Sequence, residues 1–180
     1  MYDHMLLEMA ETLSQHCGMR VDHAMNALQA YWQDKIAHVW QVEDVFESAI
    51  QAGKPITSAD AVELLKQVFD GHDSSLGITW TTIECALDDY HLEFARLTEA
   101  QYADVVGVFS VWRRGNPICH QFGLAPKDVR RNLPEALAFA RQLALDHPDD
   151  TVCLGCGQNP SPWLLVRWMD GQVSITESEE

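Results

Sequence analysis

The sequence is poor in basic residues. It has 12 Lys and Arg against 27 Asp and Glu, which gives a formal net charge of −15 over 180 residues. A protein that binds nucleic acid normally presents a basic footprint to the phosphates, so direct nucleic-acid binding is not expected. The same negative field would attract basic protein surfaces. The composition therefore favours a basic surface on another protein as the partner.

Long apolar segments are missing as well. No stretch approaches the roughly 20 consecutive apolar residues that a membrane helix needs, so no membrane association is expected. The N-terminus, MYDHMLLEMAETL, is acidic and lacks the basic start of a secretory signal. Together these absences predict a cytoplasmic protein. The apolar fraction of 47% is that of a globular chain and argues against disorder.

The sequence also lacks the familiar catalytic motifs. It contains no HExxH, no glycine-rich phosphate loop and no G-x-S-x-G elbow. The order His38, His72-Asp73, and Asp88 or Asp89 is similar to that of the ligands in helical metal-dependent phosphohydrolases. However, His72-Asp73 lies in a polar segment after a glycine, which predicts a loop pair instead of two helical ligands. An enzyme is therefore not the expected class.

One short motif could bind a metal. Cys153 and Cys156 are separated by two residues, but a zinc site needs four converging ligands. The other close pair is Cys119-His120, and adjacent residues of a strand point to opposite faces. The Gly and Pro residues that follow Cys156 exclude the helix start that redox motifs use. We expect these cysteines to line a strand end and a turn. The alternative is a zinc or other metal site with Cys119, Cys153 and Cys156 as candidate ligands.

The first half of the chain has the hydrophobic period of helices. Residues 21–53 are predicted as one long helix or as two with a bend. A capping box from Thr81 to Glu84 is predicted to start the last helix. The predicted helical segments are 2–18, 21–53, 57–71 and 81–97.

The second half changes to β-branched and aromatic residues. A capping box from Thr98 to Gln101 predicts a short helix, and two strands are predicted near 105–112 and 117–122, with a helix running on to Trp112 as the alternative. A helix follows from Asn132, whose capping box with Glu135 starts it. The segments TVCLG and WLLVRWMDGQVSI then predict three short strands, the last two joined by a type I′ turn at Asp170-Gly171.

These elements predict an α+β fold. An N-terminal helical portion, residues 1–97, is expected to pack with a C-terminal β-β-α-β-β portion, residues 98–176, that contains a small antiparallel sheet. Residues 177–180 form an acidic tail. No linker rich in Pro, Gly or Ser separates the two portions, so we expect them to share one core.

Carboxylates at helical spacing carry the functional hypothesis. Residues 1–100 hold 17 acidic side chains against 5 basic ones. Several lie four residues apart, a spacing that sets like charges about 6 Å from each other and costs a few tenths of a kcal/mol. Such faces either meet a basic partner or are only solvated. The predicted partner-binding residues are Glu43, Asp44, Glu47, Glu84, Asp88, Asp89 and Glu93.

The sequence therefore predicts a non-catalytic acidic binding protein that occupies a basic surface of another protein. A nucleic-acid-mimicking inhibitor, of the anti-restriction or anti-CRISPR type, would be one instance, by analogy of charge and size. One alternative is a metal-binding protein, with structural zinc or as a helical metal-dependent hydrolase, that uses Cys153, Cys156 and some of the histidines. The other is an oligomerisation module. Between Arg113 and Arg141 the chain has a local net charge of +4. This segment could pair with the protein's own acidic helices, bind an anion or contact a second partner, and internal pairing or a homodimer contact is the first expectation.

Overall fold

The structure, a computed structural model, has the α+β fold that the sequence predicts. It describes residues 2–35, 37–73, 75–116, 119–124, 129–130, 132–157 and 162–178. Contacts between Cα atoms divide the chain into two units, Met1–Trp40 and Gln41–Glu180. Across the described ranges, no helix is both long and apolar enough to cross a bilayer.

The first unit contains two helices that pack against each other, α1 (Asp3–Cys17) and α2 (Val21–Trp32). Gly18 ends α1 in the left-handed conformation, and its N–H donates to the carbonyl of Ser14. This is the usual glycine stop, and it confirms the predicted end of the first helix.

The second unit begins with three helices: α3 (Val42–Ala52), α4 (Ser58–Gly71) and α5 (Trp80–Asp88). The segment 21–53 is thus two helices, α2 and α3. A capping box between Gln41 and Asp44 starts α3, and Thr57 caps α4 by accepting from the N–H of Asp60. Helix α3 packs against α4 and α5. Their buried apolar faces follow the helical period of the sequence.

The predicted helix over 81–97 is wrong at both ends. Its capping box is formed by Thr79 and Thr82, so Glu84 is an exposed residue inside the helix and not part of a cap. The helix ends at Asp88, and a short 3₁₀ helix, Phe94–Arg96, follows. The chain leaves the helix because Leu92 is buried in the core of the sheet.

A five-stranded antiparallel sheet forms the second half of this unit, in the order β4-β3-β5-β6-β7. The helix α6 (Asn132–Asp146) packs on the sheet, and the core lies between them. A separate pair, β1 (Ile56–Thr57) with β2 (Val105–Val106), joins the helices to the start of this region. The sheet strands are β3 (Phe109–Arg113), β4 (Cys119–Phe122), β5 (Val152–Cys156), β6 (Pro162–Met169) and β7 (Gln172–Glu177).

Local signals in this half are mostly confirmed. The capping box from Thr98 to Gln101 starts a 3₁₀ helix, Glu99–Asp104. Asp170 and Gly171 join β6 to β7 with φ of 52° and 84°, as a type I′ turn requires. The cap assigned to Asn132 is wrong. Its Nδ2 donates to the carbonyl of Gly107, and its Oδ1 has no hydrogen-bond partner among the described residues.

Candidate functional site

A cleft of about 770 Å³ opens in the second unit. It lies where the C-terminal ends of α3 and α5 meet the end of β5 and the start of β6. The buried residues of its lining form an apolar floor, and the exposed ones form a rim. The floor comprises Pro55, Leu92, Cys156, Gly157 and Trp163, and the rim comprises Gln51, Ala52, Asp88, Asp89 and His91.

Two glycines bring the backbones of this cleft into contact. Gly53 ends α3 with φ +70°, and Gly157 follows β5 with φ +97°. A Cβ built on Gly157 would lie 2.8 Å from the Cα of Gly53, closer than real Cβ atoms approach. A Cβ on Gly53 would lie 3.1 Å from the carbonyl oxygen of Cys156, a tight contact. Both positions therefore favour glycine, because both need positive φ and Gly157 has no room for a side chain.

A bulge in β6 places Trp163 at the floor. Leu154 pairs with Leu164 but Gly155 pairs with Pro162, so Trp163 is the extra residue on its strand. Its indole ring stacks at 5.9 Å from the ring of Phe109, measured between centroids. The residue is 9% exposed, and its Nε1 has no hydrogen-bond partner in the part of the chain that the structure describes. Bulges commonly redirect a side chain next to a functional site.

Lys54 links the two sides of the cleft. Its Nζ donates to the carbonyl oxygen of Leu87 and, at 2.8 Å, to that of Asp88. These carbonyls belong to the last turn of α5 and have no helical partner of their own, so the ammonium group caps the helix. The same Nζ lies 3.9 Å from the Asp88 carboxylate. The ammonium group of Lys54 therefore stabilises the position of α5.

Two ionisable side chains of the cleft lining, Cys156 and Tyr90, have raised pKa values. Burial raises the pKa of the Cys156 thiol to about 12, so the thiol stays protonated near neutral pH. Burial, reinforced by the Asp60 carboxylate, also raises the pKa of Tyr90, whose hydroxyl donates to Asp60 at 2.8 Å. Neither group is arranged as a nucleophile with an adjacent base.

The three predicted acidic residues on α3 differ in exposure and in their partners within the chain. Glu43 and Glu47 are exposed, whereas Asp44 is half-buried and accepts the N–H of Gln41 at 2.7 Å. Glu43 lies 3.5 Å from the guanidinium of Arg130. Glu47 therefore keeps a carboxylate with no described ion pair.

The acidic residues that follow in sequence divide between α5 and the cleft. Glu84 and Asp88 are four residues apart and exposed on α5, while Asp88 and Asp89 line the cleft rim. Glu93 lies beyond the helix and pairs with Arg96 at 2.5 Å. A helix over 81–97 would have placed Asp89 and Glu93 on one face, four residues apart, but α5 ends at Asp88 and this pair does not form.

Two arginines of the basic segment pair with carboxylates of the same chain. Arg113 donates to Asp150 at 2.9 Å, and Arg130 combines its contact with Glu43 with a position 4.6 Å from the ring centroid of Phe46. These arginines neutralise part of the acidic surplus. The predicted basic positions Lys127 and Arg131 lie outside the described residues.

The two cysteines of the CxxC motif do not converge. Cys153 and Cys156 both lie within β5, whose register with β3 is unbroken, so side chains three residues apart face opposite sides of the sheet. Of the third candidate ligand, Cys119, only the backbone is described, in β4. In the part of the chain that the structure describes, no three His, Cys, Asp or Glu side chains are grouped to hold a metal ion. Asp73 instead accepts from Ser75 in a local turn.

Sequence reasoning missed Lys54, Trp163 and the two glycines as site residues. The glycine after α3 was visible as a helix stop, but its contact with a glycine about a hundred residues later was not. The chain matches no protein-family model, and it has no significant similarity to a curated protein or to a solved structure.

Proposed function

We propose that this protein is a non-catalytic acidic binding protein that occupies a basic surface of another protein. The observation that carries the proposal is the set of exposed carboxylates on α3, α5 and the cleft rim. Glu47, Glu84 and Asp89 are exposed and have no ion pair among the described residues. Helices α3 and α5 pack against each other, so these groups belong to one helical layer.

The charge balance of this layer supports the same role. Of the seven predicted partner-binding residues, Glu43, Asp88 and Glu93 have a cation within 4.0 Å. Each of these pairs is exposed to solvent on at least one side, and exposed pairs contribute little and are screened by salt. The layer therefore keeps a net negative charge that would steer a basic partner and order the encounter.

A nucleic-acid-mimicking inhibitor is the more specific form of this proposal. In that form the carboxylates occupy the groove in which the partner normally holds phosphates. The expected signature is competition: the protein would displace DNA or RNA from its partner, and added salt would weaken both complexes together. A basic partner that binds this protein and nucleic acid simultaneously would contradict the mimicry while leaving the binding role intact.

The test is a matched pair of charge-reversal variants. One carries Glu47→Lys, Glu84→Lys and Asp89→Lys. The control carries Glu8→Lys, Asp70→Lys and Asp149→Lys, which are also exposed carboxylates and give the same change in net charge. Both are used, beside the unaltered protein, in affinity capture from host extract with quantitative mass spectrometry, and the binding constants of captured partners are then measured with purified proteins.

We expect the first variant to lose a basic partner that the control retains. A change of at least tenfold in the dissociation constant is expected, because three like charges are reversed at the interface. Arg130→Gln tests the opposite direction. It removes the cation that pairs with Glu43, so we expect it to strengthen partner binding. If both triple variants retain the partner equally, the layer of α3 and α5 is not the interface and the proposal is wrong.

A further inference from the structure

The C-terminal end of α5 carries charge of the unfavourable sign. Asp88 is its last residue and Asp89 its C-cap, and the last turn contains no basic residue. The carbonyl end of a helix is already negative, so aspartates there repel the helix dipole. Lys54 relieves part of this repulsion from across the cleft. The arrangement leaves a place where one more cation would be stabilised.

The cleft beneath these aspartates matches a long side chain with a charged end. Its floor is apolar, with Leu92 and Trp163 buried, and its rim carries the carboxylates of Asp88 and Asp89. Lys54, the lysine of the lining, is already bonded to the carbonyls of α5. The carboxylate of Asp89 has no hydrogen bond or ion pair among the described residues.

A second feature of the floor is an unpaired hydrogen-bond donor. The indole N–H of Trp163 is a donor in a residue that is nine-tenths buried, and it lacks an acceptor among the described residues. Buried indole N–H groups usually find a partner. The Nε1 atom is itself closed off from solvent, so an acceptor can reach it only if Trp163 or a neighbouring side chain moves. The cleft volume of about 770 Å³ exceeds that of one side chain. Sites of this volume are typical of bound small ligands and short segments.

We propose that this cleft binds an arginine or lysine side chain presented by the basic partner. The aliphatic stem would lie over the apolar floor, and the cationic end would meet the carboxylates of Asp88 and Asp89. A buried anchor of this kind would supply a large share of the binding energy of the complex, as hot-spot residues do. This inference rests on the proposed function, because the anchor belongs to the partner that the acidic layer attracts.

The experiment uses the full chain labelled with ¹⁵N and four blocked single residues as probes. Nα-acetyl-arginine amide and Nα-acetyl-lysine amide carry the charge. Nα-acetyl-glutamine amide and Nα-acetyl-norleucine amide supply a polar and an apolar neutral control. We expect saturable shifts of the backbone amides of Gly53, Asp89 and Gly157 with at least one cationic probe, in the millimolar range typical of such small ligands.

Two variants distinguish specific binding in the cleft from nonspecific attraction of a cation to an acidic protein. Asp89→Asn should weaken the cationic probe at least fivefold. Asp149→Asn makes the same charge change at an exposed position. Asp149 precedes the start of β5, whereas the cleft lies at the end of β5, so this variant should leave the affinity unchanged. Shifts that are equal with the norleucine probe, that do not saturate, or that survive Asp89→Asn would overturn the proposal.

The two proposals fail in different ways. If the cationic probes produce no saturable shifts while reversal of Glu47, Glu84 and Asp89 still abolishes partner binding, the acidic layer binds its partner without an anchor in the cleft. If the probes bind at the cleft but the charge-reversal variants retain every partner, the cleft recognises a cation and the proposed role of the layer is wrong.

Discussion

Lys54 and Asp88 are joined by a hydrogen bond of 2.8 Å between the lysine Nζ and the aspartate backbone carbonyl. The lysine follows the glycine that ends α3, and the aspartate is the last residue of α5. The two helix ends are thus held together by an ammonium group that satisfies otherwise unpaired carbonyls. This contact fixes the position of the cleft rim, because Asp88 and Asp89 move with the end of α5.

Replacing this lysine should destabilise the fold. Lys54→Met keeps most of the aliphatic stem but removes the charged donor. We expect the free energy of unfolding to fall by about 1.5–3 kcal/mol, the usual value for hydrogen bonds to a charged group. Urea denaturation followed by circular dichroism measures it. Lys66→Met is the control. Among the described residues Lys66 makes a single exposed ion pair, with Glu63 at 3.8 Å, and its loss should cost less than about 1 kcal/mol.

Elements with strong local signals were predictable from the sequence. The helix α6, the glycine stop of α1 and the Asp170-Gly171 turn each depend on residues within a few positions of one another. Backbone preferences and capping act at this range, so a single sequence contains the information. The α+β class follows from these elements, since helical and strand patterns occupy different parts of the chain.

The end of α5 could not be predicted in the same way. Residues 88–97 contain no glycine or proline and keep an apolar spacing that suits a helix. In the structure Leu92 is buried in the core of the sheet, and the ring of Phe94 stacks on Tyr102. Contacts with residues distant in sequence therefore override the local helical preference.

Of the candidate site, only the acidic residues of the rim could be predicted from the sequence. Asp88 and Asp89 were identified as binding residues because of their sign and spacing, and both lie on the cleft rim. The floor depends on the approach of Gly53 to Gly157 and on the bulge at Trp163. Such contacts arise from tertiary packing between distant segments, and no local pattern marks them.

Two glycines with the same backbone angle allow the next prediction. Gly115 and Gly123 both have φ of +81°. A Cβ on Gly115 would meet nothing within 4 Å, whereas one on Gly123 would lie 1.7 Å from Nδ2 of Asn132. Both alanine variants pay the cost of a left-handed backbone, about 1–2 kcal/mol. Gly123→Ala should cost about 1–3 kcal/mol more, because Asn132 must release the buried carbonyl of Gly107.

Thermal or urea unfolding of the two variants measures this difference. Asn132→Ala combined with Gly123→Ala completes the comparison, since the added methyl group then has no amide to displace. Equal stabilities of Gly115→Ala and Gly123→Ala would show that Asn132 does not hold the position seen here.

The cysteines should differ sharply in reactivity. Cys17 and Cys85 are exposed, whereas Cys153 and Cys156 are buried. Because burial raises the pKa of Cys156 to about 12, its thiolate is scarce at pH 8. Iodoacetamide should modify Cys17 and Cys85 at least about 100-fold faster than Cys156, and 8 M urea should remove the difference. Peptide mass spectrometry over time gives each rate. Rapid modification of Cys156 in the folded protein would contradict the buried position.

The raised pKa of Cys156 also makes stability depend on pH. The ordinary thiol pKa of 9.0 applies to the unfolded chain, and the folded value is about 12. Between these values the folded protein keeps a proton that the unfolded chain has lost, so the contribution is complete below pH 9 and falls as the pH rises towards 12. From pH 8 to pH 10 the wild-type protein should lose about 1.4 kcal/mol that Cys156→Ala does not lose. Urea titrations at each pH, with a reductant, measure both.

Ile83→Val, a core substitution that removes no titratable group, should differ from the wild type by the same amount at every pH. If Cys156→Ala also differs from the wild type by a constant amount, the thiol does not titrate differently in the folded and unfolded states.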